Sequence, residues 1–532
     1  MALVSLPYLI FVSATVLLYF LAPKKVQWVV LLIASYVYFW LNSKRLVLVL
    51  FASTLATFLA GLRIESINRK GKQTLKESTG LSREEKKALK EATKKRSKVI
   101  LTVGVVFDLS ILLFLKYFNF FASNVKTVVS LTGKEIEVPV LHLLLPLGIS
   151  YYTLQAIAYL FDIYRNKCSA DHHLPRFMLF MSYFPQIIQG PIPRYRQLAN
   201  QLYEGHSFDY KRFCFGAQLM LWGWMKKLII ADRIAIAANE IFDNSAEYSG
   251  ALAFFGAVCY GFQVYTDFSG GVDIVRGVSQ MLGIELEQNF RQPYFAKSIE
   301  EFWRRWHITL GAWMRDYVFY PLSLSPTFGN LSKKSRKLLG NSVGKKLPSF
   351  LAMYIVYFLV GFWHGSSWKY FVFGFWNGNF IVISILLSDV YEKLHQKLHI
   401  DPESFSWRLF QMLRTFVICS FGRFFSRAAR LQVAWSMFRS VFHHWWDISF
   451  LVDGSLLDLG LDTANWVLLL IAIGVVFLVD YIHERDVHIR EAIAGQGIVF
   501  RWIVYIAAVL CVLIFGIYGP MYEASSFIYG QF

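Results

Sequence analysis

Charged residues are scarce in this sequence. Asp, Glu, Lys and Arg together make up 17% of its 532 residues, against about 25% in an ordinary soluble domain. Hydrophobic residues reach 55% and aromatic residues 17%, a bias typical of chains whose rings collect at membrane interfaces. This composition excludes a disordered or collagen-like chain and indicates that most of the protein lies in a membrane.

Cysteine is also rare. The five cysteines are odd in number, widely scattered and contain no CxxC pair, so the sequence offers neither a disulfide framework nor a zinc or redox motif. No clear set of metal-ligating side chains is visible. We therefore predict no metal site and no bound cofactor.

Alternating ten-residue strands, which would indicate a membrane barrel, are absent, whereas apolar windows suited to spanning helices are abundant. The windows are 2–21, 26–41, 46–62, 99–120, 177–188, 213–230, 252–264, 350–362, 370–387, 466–479 and 499–517. They predict an all-α polytopic membrane protein with about eleven transmembrane helices and additional re-entrant or interfacial helices, in a single domain over 1–532. Because 2–21 has no basic region before it, we expect a retained helix there, not a removable signal peptide.

The net charge of +18 is concentrated in one segment. Residues 69–98 contain twelve basic and four acidic residues, a net charge of +8. Lysines and arginines in short connections favour the cytoplasmic side of a membrane. Because no aromatic residues alternate with these charges, a base-stacking surface is not indicated. We expect 68–98 to be a basic cytoplasmic loop and do not expect nucleic acid as a partner.

Ionisable residues within apolar surroundings concentrate in 265–378, which we predict to be the catalytic core segment. Such residues are costly in a membrane and by default line a cavity or pair with each other. If the chain around Trp303 is helical, Glu300, Arg304 and His307 share one face. The same pattern also fits an amphipathic helix at the membrane surface, and spacing alone does not decide between the two.

His364 follows eleven apolar or glycine residues. An imidazole has a pKa near 6.5, which suits a proton acceptor at neutral pH. The small residues Gly365 and Ser366 predict room for a substrate beside the ring. A hydrogen-bonded structural histidine at the end of a span is the alternative.

Six segments in order resemble one family. They are LPLGISYY at 145–152, FPQIIQGPIPRYR at 184–196, YTDFSG at 265–270, FWRRWHITL at 302–310, RDYVFYP at 315–321 and GFWHG at 361–365. Together they resemble the membrane-bound O-acyltransferases, and most closely the bacterial branch typified by the membrane subunit of alginate O-acetylation. The resemblance covers nearly the whole chain.

The resemblance implies a tunnel through the bilayer in which a cytoplasmic acyl thioester, acetyl-CoA as co-substrate, meets an acceptor hydroxyl from the other side. His364 and His307 correspond to the family's two histidines. We expect His364 to act as the base and His307 to orient the thioester or stabilise the oxyanion. Candidates for substrate or donor binding are Asp267, Trp303, Arg304, Arg305, Arg315 and Ser366. The arginines would meet the donor's phosphates, with membrane-edge snorkelling as the alternative.

The same resemblance implies a multi-pass protein of the bacterial cytoplasmic membrane. Its expected acceptor is an envelope polysaccharide, reached directly or through an extracytoplasmic SGNH-type partner, and a carrier protein is a second potential donor. The alternatives are D-alanyl transfer to teichoic acid, a transporter or flippase without covalent chemistry, and a structural subunit. Because the sequence contains no GxSxG elbow, we expect direct transfer without an acyl-serine intermediate.

The charge distribution predicts a topology. If three spans precede the basic segment and that segment is cytoplasmic, the N-terminus is extracytoplasmic. A single cysteine introduced by Ser78→Cys should then react with an impermeant maleimide only after the cells are opened. Labelling of intact cells at this position would contradict the assignment.

Overall fold

The computed structural model of the protein describes residues 1–78, 80–141 and 143–518. Over these residues the chain is helical, with no β-strand and one isolated bridge between Phe290 and Trp306. The predicted all-α class is therefore confirmed. Helices are the expected solution in lipid, where each backbone group must find its partner within the same segment.

The helices before residue 250 are α1 (Leu6–Leu21), α2 (Gln27–Ser43), α3 (Val47–Glu77), α4 (Arg83–Leu112), α5 (Phe118–Ser130), α6 (Ile149–Tyr164), α7 (Leu174–Ser182), α8 (Tyr195–Tyr203), α9 (Tyr210–Trp224) and α10 (Asp232–Asp243). The later ones are α11 (Gly250–Met281), α12 (Ile299–Arg305), α13 (Ile308–Met314), α14 (Tyr320–Ser323), α15 (Pro326–His364), α16 (Trp368–Leu386), α17 (Ser388–Lys397), α18 (Phe405–Arg427), α19 (Leu431–His443), α20 (Thr463–Glu484), α21 (Ile489–Ala494) and α22 (Ile498–Phe515).

Shorter helical turns join several of these elements. Three π-helical segments are Leu113–Tyr117, Met225–Ala231 and Arg315–Phe319, and the 3₁₀ turns are Lys24–Val26, Lys44–Leu46, Pro293–Phe295, Ser449–Leu451 and Leu457–Leu459. α15 is interrupted at Gly340, whose φ of 73° is not helical. π-helical turns are rare in proteins, and those that occur are often found at functional sites.

Six stretches of the described chain are long and apolar enough to cross a membrane: Lys24–Glu77, Arg83–Ser130, Val343–His364, Trp368–Leu386, Thr463–Glu484 and Ile498–Phe515. The protein is therefore a multi-pass membrane protein, but the count of eleven spans is not confirmed. The apolar window at 177–188 shows why. Its helix, α7, has nine residues and ends at Ser182, which at 1.5 Å per residue gives about 14 Å, less than half of the hydrocarbon core.

The basic segment 68–98 is mostly helical instead of an irregular loop. It comprises the end of α3, a short connection and the start of α4. Ser82 caps α4 reciprocally, because its Oγ accepts from the Glu85 backbone N–H while the Glu85 carboxylate accepts from the Ser82 N–H at 2.8 Å. α3 has 31 residues, about 46 Å, so part of it extends beyond a hydrocarbon core of about 30 Å. That this end is cytoplasmic stays a prediction.

Contacts within the chain define two compact units, 1–217 with 275–287 and 218–274 with 288–532. The first unit has an aromatic core. Tyr159 packs on Phe177 with ring centroids 4.6 Å apart, and Tyr195 packs on Phe180 at 5.0 Å. The Asp171 carboxylate accepts hydrogen bonds from the hydroxyls of Tyr195 and Tyr203, so the polar ends of these rings are satisfied within the core.

The second unit contains both predicted catalytic histidines, and its helices α15 and α16 pack closely through glycines. A Cβ added at Gly361 would meet the carbonyl oxygen of Tyr370, and one at Gly374 would meet the carbonyl oxygen of Tyr357. Small residues allow the backbones of membrane helices to approach each other in this way. This contact fixes the end of α15, where His364 lies, against α16.

The close packing gives a test of the α15–α16 contact. Gly374→Leu should lower the free energy of unfolding by about 1–3 kcal/mol, because the added side chain must displace backbone. Gly474→Leu on α20 is the matched control, since an added Cβ there meets nothing within 4 Å. Thermal unfolding in detergent measures both. Equal midpoints for the two variants would mean that the helices do not depend on this approach.

Candidate active site

A small cavity in the second unit contains His364. Its twelve lining residues include Trp303, Trp306, Asn377 and Arg423 and no carboxylate. His364 is the last residue of α15 and is 6% exposed, and its ring lies 5.7 Å from that of Phe373. The cavity is thus mainly aromatic, with a few polar groups facing inward, which is the usual composition of a small-molecule site.

Trp303 lines the same cavity and is held by a polar contact. Its indole Nε1–H donates to Asn377 Oδ1 at 3.1 Å, and the Asn377 amide donates to the Phe373 carbonyl at 2.8 Å. The chain thereby fixes α12 against α16 at the wall of the cavity. Of the predicted site residues, Trp303 and His364 are brought together here.

His307 is fully buried but does not line this cavity. The prediction that it shares a helical face with Glu300 and Arg304 is wrong, because α12 ends at Arg305 and His307 has the left-handed φ of 47° before α13 begins. The Glu300–Arg304 pair itself forms, at 3.4 Å. Asn289 stabilises the turn, since its Oδ1 accepts from the Thr309 N–H and hydroxyl.

Both histidines pack on Trp363. The ring centroid of Trp363 is 5.5 Å from that of His307 and 5.1 Å from that of His364. His307 is outside the six candidate spans. Burial, and to a smaller extent the charge of a protonated His364, lower the pKa of His307 well below its usual value. His307 is therefore neutral at physiological pH, and its ring is positioned beside Trp363 and Phe268, the latter at 4.8 Å.

Asp267 belongs to a buried ion-pair cluster and not to the cavity lining. Lys227 Nζ lies 2.6 Å from the Asp267 carboxylate and 2.8 Å from that of Asp232, with all three side chains almost fully buried. The neighbouring Lys226 bonds Ser269 at 2.9 Å and pairs with Asp273. These contacts join the π-helical segment Met225–Ala231 to α11. A substrate role for Asp267 stays a prediction.

The three predicted phosphate-binding arginines differ in availability. The Arg305 guanidinium is engaged by two carboxylates, with Nη1 and Nη2 at 2.7 and 2.8 Å from Glu484 and Nε at 3.0 Å from Glu301. Arg304 and Arg315 are more than half exposed. Each of these two pairs with a single carboxylate, Glu300 at 3.4 Å and Asp316 at 3.2 Å, and keeps most of its side chain exposed for contact with a donor phosphate.

Ser366 is exposed and does not line the cavity. The space beside Gly365 is not open either, because a Cβ added there would meet the Tyr370 ring. Gly365 is thus needed for packing of that ring, and the room for substrate predicted beside it is already filled. The part of the chain that the structure describes contains no cluster of three or more His, Cys, Asp or Glu that could hold a metal ion.

Sequence reasoning missed four residues of this region: Lys226, Lys227, Asn377 and Arg423. The lysines were hidden inside an apolar window at 213–230, and Arg423 interrupts a similar run, ICSFGRFF. An ionisable residue within an apolar run is itself a signal of a functional or paired site. Asn377 carries no comparable local signal, since its role follows from the packing of α12 on α16.

The profile described as MBOAT, membrane-bound O-acyltransferase family, matches residues 165–427. This range includes both histidines and the cavity. A probable alginate O-acetylase AlgI of Azotobacter vinelandii is 31% identical over 460 residues, which cover 86% of this chain and 81% of the relative. The chain belongs to the membrane-bound O-acyltransferase family. It is a membrane-bound enzyme of the acyltransferase class.

Other relatives differ in what they modify. A peptidoglycan O-acetyltransferase of Helicobacter pylori is 31% identical over 361 residues, 63% of each chain. A teichoic acid D-alanyltransferase of Bacillus subtilis is 29% identical over 232 residues, 42% of this chain and 54% of the relative. The names of these relatives describe O-acetylation of alginate or peptidoglycan and D-alanylation of teichoic acid.

The buried ion pairs predict a stability effect at Asp267. Asp267→Asn should lower the free energy of unfolding by about 3 kcal/mol, because Lys227 then remains buried with less compensating charge. The exposed Asp389→Asn is the control and should leave the unfolding midpoint unchanged. An unchanged midpoint for Asp267→Asn together with a raised KM for donor would instead support the predicted substrate role.

Proposed function

We propose that this acyltransferase moves an acetyl group from cytoplasmic acetyl-CoA to a hydroxyl of an extracytoplasmic cell-envelope polysaccharide. The observation that carries the proposal is the aromatic cavity containing His364 at the end of a membrane-length helix. Relatives named as O-acetylating enzymes support the acetyl group and the polymer acceptor. The membrane would be the bacterial cytoplasmic membrane.

The chemistry requires a base, since an alcohol is a poor nucleophile at neutral pH. His364 is our candidate, and positioned general-base catalysis contributes roughly 100- to 10,000-fold. The imidazole would accept the hydroxyl proton as the oxygen attacks the thioester carbonyl carbon, and would return it to the departing thiolate. His307, which is neutral and packs on Trp363, would act through this ring by positioning the neighbouring His364.

The donor would be bound by its phosphates as well as by its acyl group. Arg304 and Arg315 remain candidates because their side chains are largely exposed. Arg305 is a poor candidate, since a phosphate would have to displace two carboxylates from its guanidinium. A carrier-protein thioester would use the same acyl site without requiring these phosphate contacts.

Acetyl transfer is favoured over D-alanyl transfer by the extent of similarity. The D-alanyltransferase of Bacillus subtilis matches 42% of this chain, whereas the alginate O-acetylase of Azotobacter vinelandii matches 86%. A D-alanyl group would also bring an ammonium into the cavity beside Arg423, with no carboxylate in the lining to compensate it. The acceptor hydroxyl would belong either to the polysaccharide itself or to a partner protein that passes the acetyl group to the polysaccharide.

His364→Ala tests the base assignment. Turnover of labelled acetyl-CoA by the purified protein in detergent should fall by at least about 100-fold, while the thermal unfolding midpoint stays near that of the wild type, because the side chain lines a cavity. The exposed His443→Ala is the control. Turnover within tenfold of wild type would exclude His364 as the base, and a parallel loss of stability would show a structural role.

His307→Ala gives a graded comparison with the same assay. Because His307 is expected to position the site, its removal should lower kcat by about 100- to 1,000-fold with the KM for donor largely kept.

The wild-type protein tests the proposed function as a whole. If it consumes no acetyl-CoA and no carrier-bound acyl thioester, acetyl transfer itself is wrong and a transport role becomes the better hypothesis.

A further inference from the structure

Arg423 is a buried cation in the same cavity as His364. It lies on α18, is 6% exposed and lines the cavity beside Trp306. Its guanidinium carbon is 5.1 Å from the centre of the Trp306 ring, within the range of a cation–π contact. Trp306 packs in turn on Phe302 at 5.4 Å, so the arginine is held against a rigid aromatic wall.

Arg423 has no counter-ion among the described residues. None of the ion pairs of the described chain includes it, and the cavity lining contains no carboxylate. Its Nη2 is buried and has no hydrogen-bond partner in the part of the chain that the structure describes. The guanidinium is also near the Tyr294 hydroxyl, which is neutral and donates its own proton to the Gly261 carbonyl at 2.6 Å.

Arg305 differs from Arg423 in having carboxylates beside its guanidinium. Arg305 is less buried than Arg423, yet two carboxylates surround its guanidinium. Removing a charge from water is costly unless it is paired and hydrogen-bonded. A guanidinium kept in an aromatic cavity without a carboxylate is therefore arranged to receive a negative group that arrives with a ligand.

We propose that Arg423 binds the negatively charged oxygen of the reacting acyl group, and in this it rests on the acyl transfer proposed above. As the acceptor oxygen bonds to the thioester carbon, the carbonyl electron pair moves to oxygen and the acceptor proton moves to His364. Arg423 stabilises this oxyanion through Nη2. When the carbonyl re-forms, the thiolate leaves and takes the proton from His364, so that charge and atoms balance.

An acidic acceptor is a second source of a negative oxygen, because a carboxylate would fit the same guanidinium. The two sources differ in kinetics. Stabilisation of the oxyanion acts only in the transition state and affects kcat with any acceptor, including water. Binding of an acceptor carboxylate affects the KM for that acceptor and leaves hydrolysis of the thioester unchanged.

The first measurement does not depend on turnover. Acetate is a small anion with the shape of the acyl group. Sodium acetate should raise the thermal unfolding midpoint of the wild-type protein in detergent, whereas neutral acetamide or sodium chloride at the same concentration should not. Arg423→Met, which keeps the apolar length of the side chain, should lose the acetate effect. Arg408→Met, an exposed arginine on the same helix, is the matched control and should keep it.

The second measurement separates a ligand-binding charge from a structural one. Without ligand, Arg423→Met should unfold at the wild-type midpoint or above it, because an uncompensated buried charge is removed. Its acetyl-CoA turnover, hydrolysis included, should nevertheless fall about 100- to 1,000-fold with the KM for acetyl-CoA kept. Arg423→Lys should restore part of kcat, since it keeps the charge but not the planar fork.

The outcomes are distinguishable. A lower unfolding midpoint in Arg423→Met would overturn the proposal by showing that Arg423 is structural. An acetate effect that survives in this variant would overturn it by showing that acetate binds elsewhere. A raised KM for an acidic polysaccharide with unchanged hydrolysis would overturn the oxyanion role and assign the charge to the acceptor. If the wild-type protein binds acetate through Arg423 but does not turn over acetyl-CoA, Arg423 is an anion site, and both the proposed acetyl transfer and the oxyanion role are wrong.

Discussion

The second unit depends on a cluster of buried charges. Lys227 bridges Asp232 and Asp267, and Lys226 pairs with Asp273, which lies nearly two turns further along α11. These contacts hold the π-helical segment Met225–Ala231 against the helix that carries the YTDFSG residues. An ion pair of this kind stabilises little compared with a well-packed apolar core, but its disruption is strongly destabilising because a single charge would be left buried. Its principal effect is to make one arrangement of α10 and α11 much better than any other.

That arrangement is what places the aromatic wall behind the site. Phe268, next to Asp267 in sequence, packs on His307 at 4.8 Å, and His307 packs on Trp363, the neighbour of His364. A shift of α11 would therefore reach His364 through three rings in contact. Because packed interiors deform little, the ion-pair cluster and the cavity are coupled although no charged residue of the cluster lines the cavity.

The parts of this protein that could be predicted from sequence are those encoded over short distances. His364 ends a run of apolar residues and Trp303 lies a few residues from the other histidine, so the local pattern made both residues candidates, while the roles expected for them came from the family resemblance and stay predictions. The helical class followed from apolar windows of membrane length. Short helices such as α7 show the limit, since an apolar window does not reveal where the backbone turns.

Features that depend on tertiary packing could not be read in advance. The backbone turns at His307, where Asn289 accepts from the backbone N–H groups of Ile308 and Thr309. Asn289 is eighteen residues before His307, and helical spacing through that turn therefore misplaced the residue. The carboxylate Glu484 that occupies Arg305 is 179 residues away. Arg423 and His364 likewise line one cavity because α18 packs against α16. The local sequence of neither helix predicts this proximity.

The glycine contact between α15 and α16 has a consequence for which wall of the cavity can change. One wall of the cavity is fixed by Gly361 and Gly374, where any side chain would collide with backbone. The wall contributed by α18, through Cys419, Arg423 and Ser426, is made of side chains that point inward from a helix without such a constraint. A change in the size or charge of the side chains that line the cavity therefore requires less movement of backbone on α18 than at the glycine contact, and it leaves the position of His364 at the end of α15 unchanged.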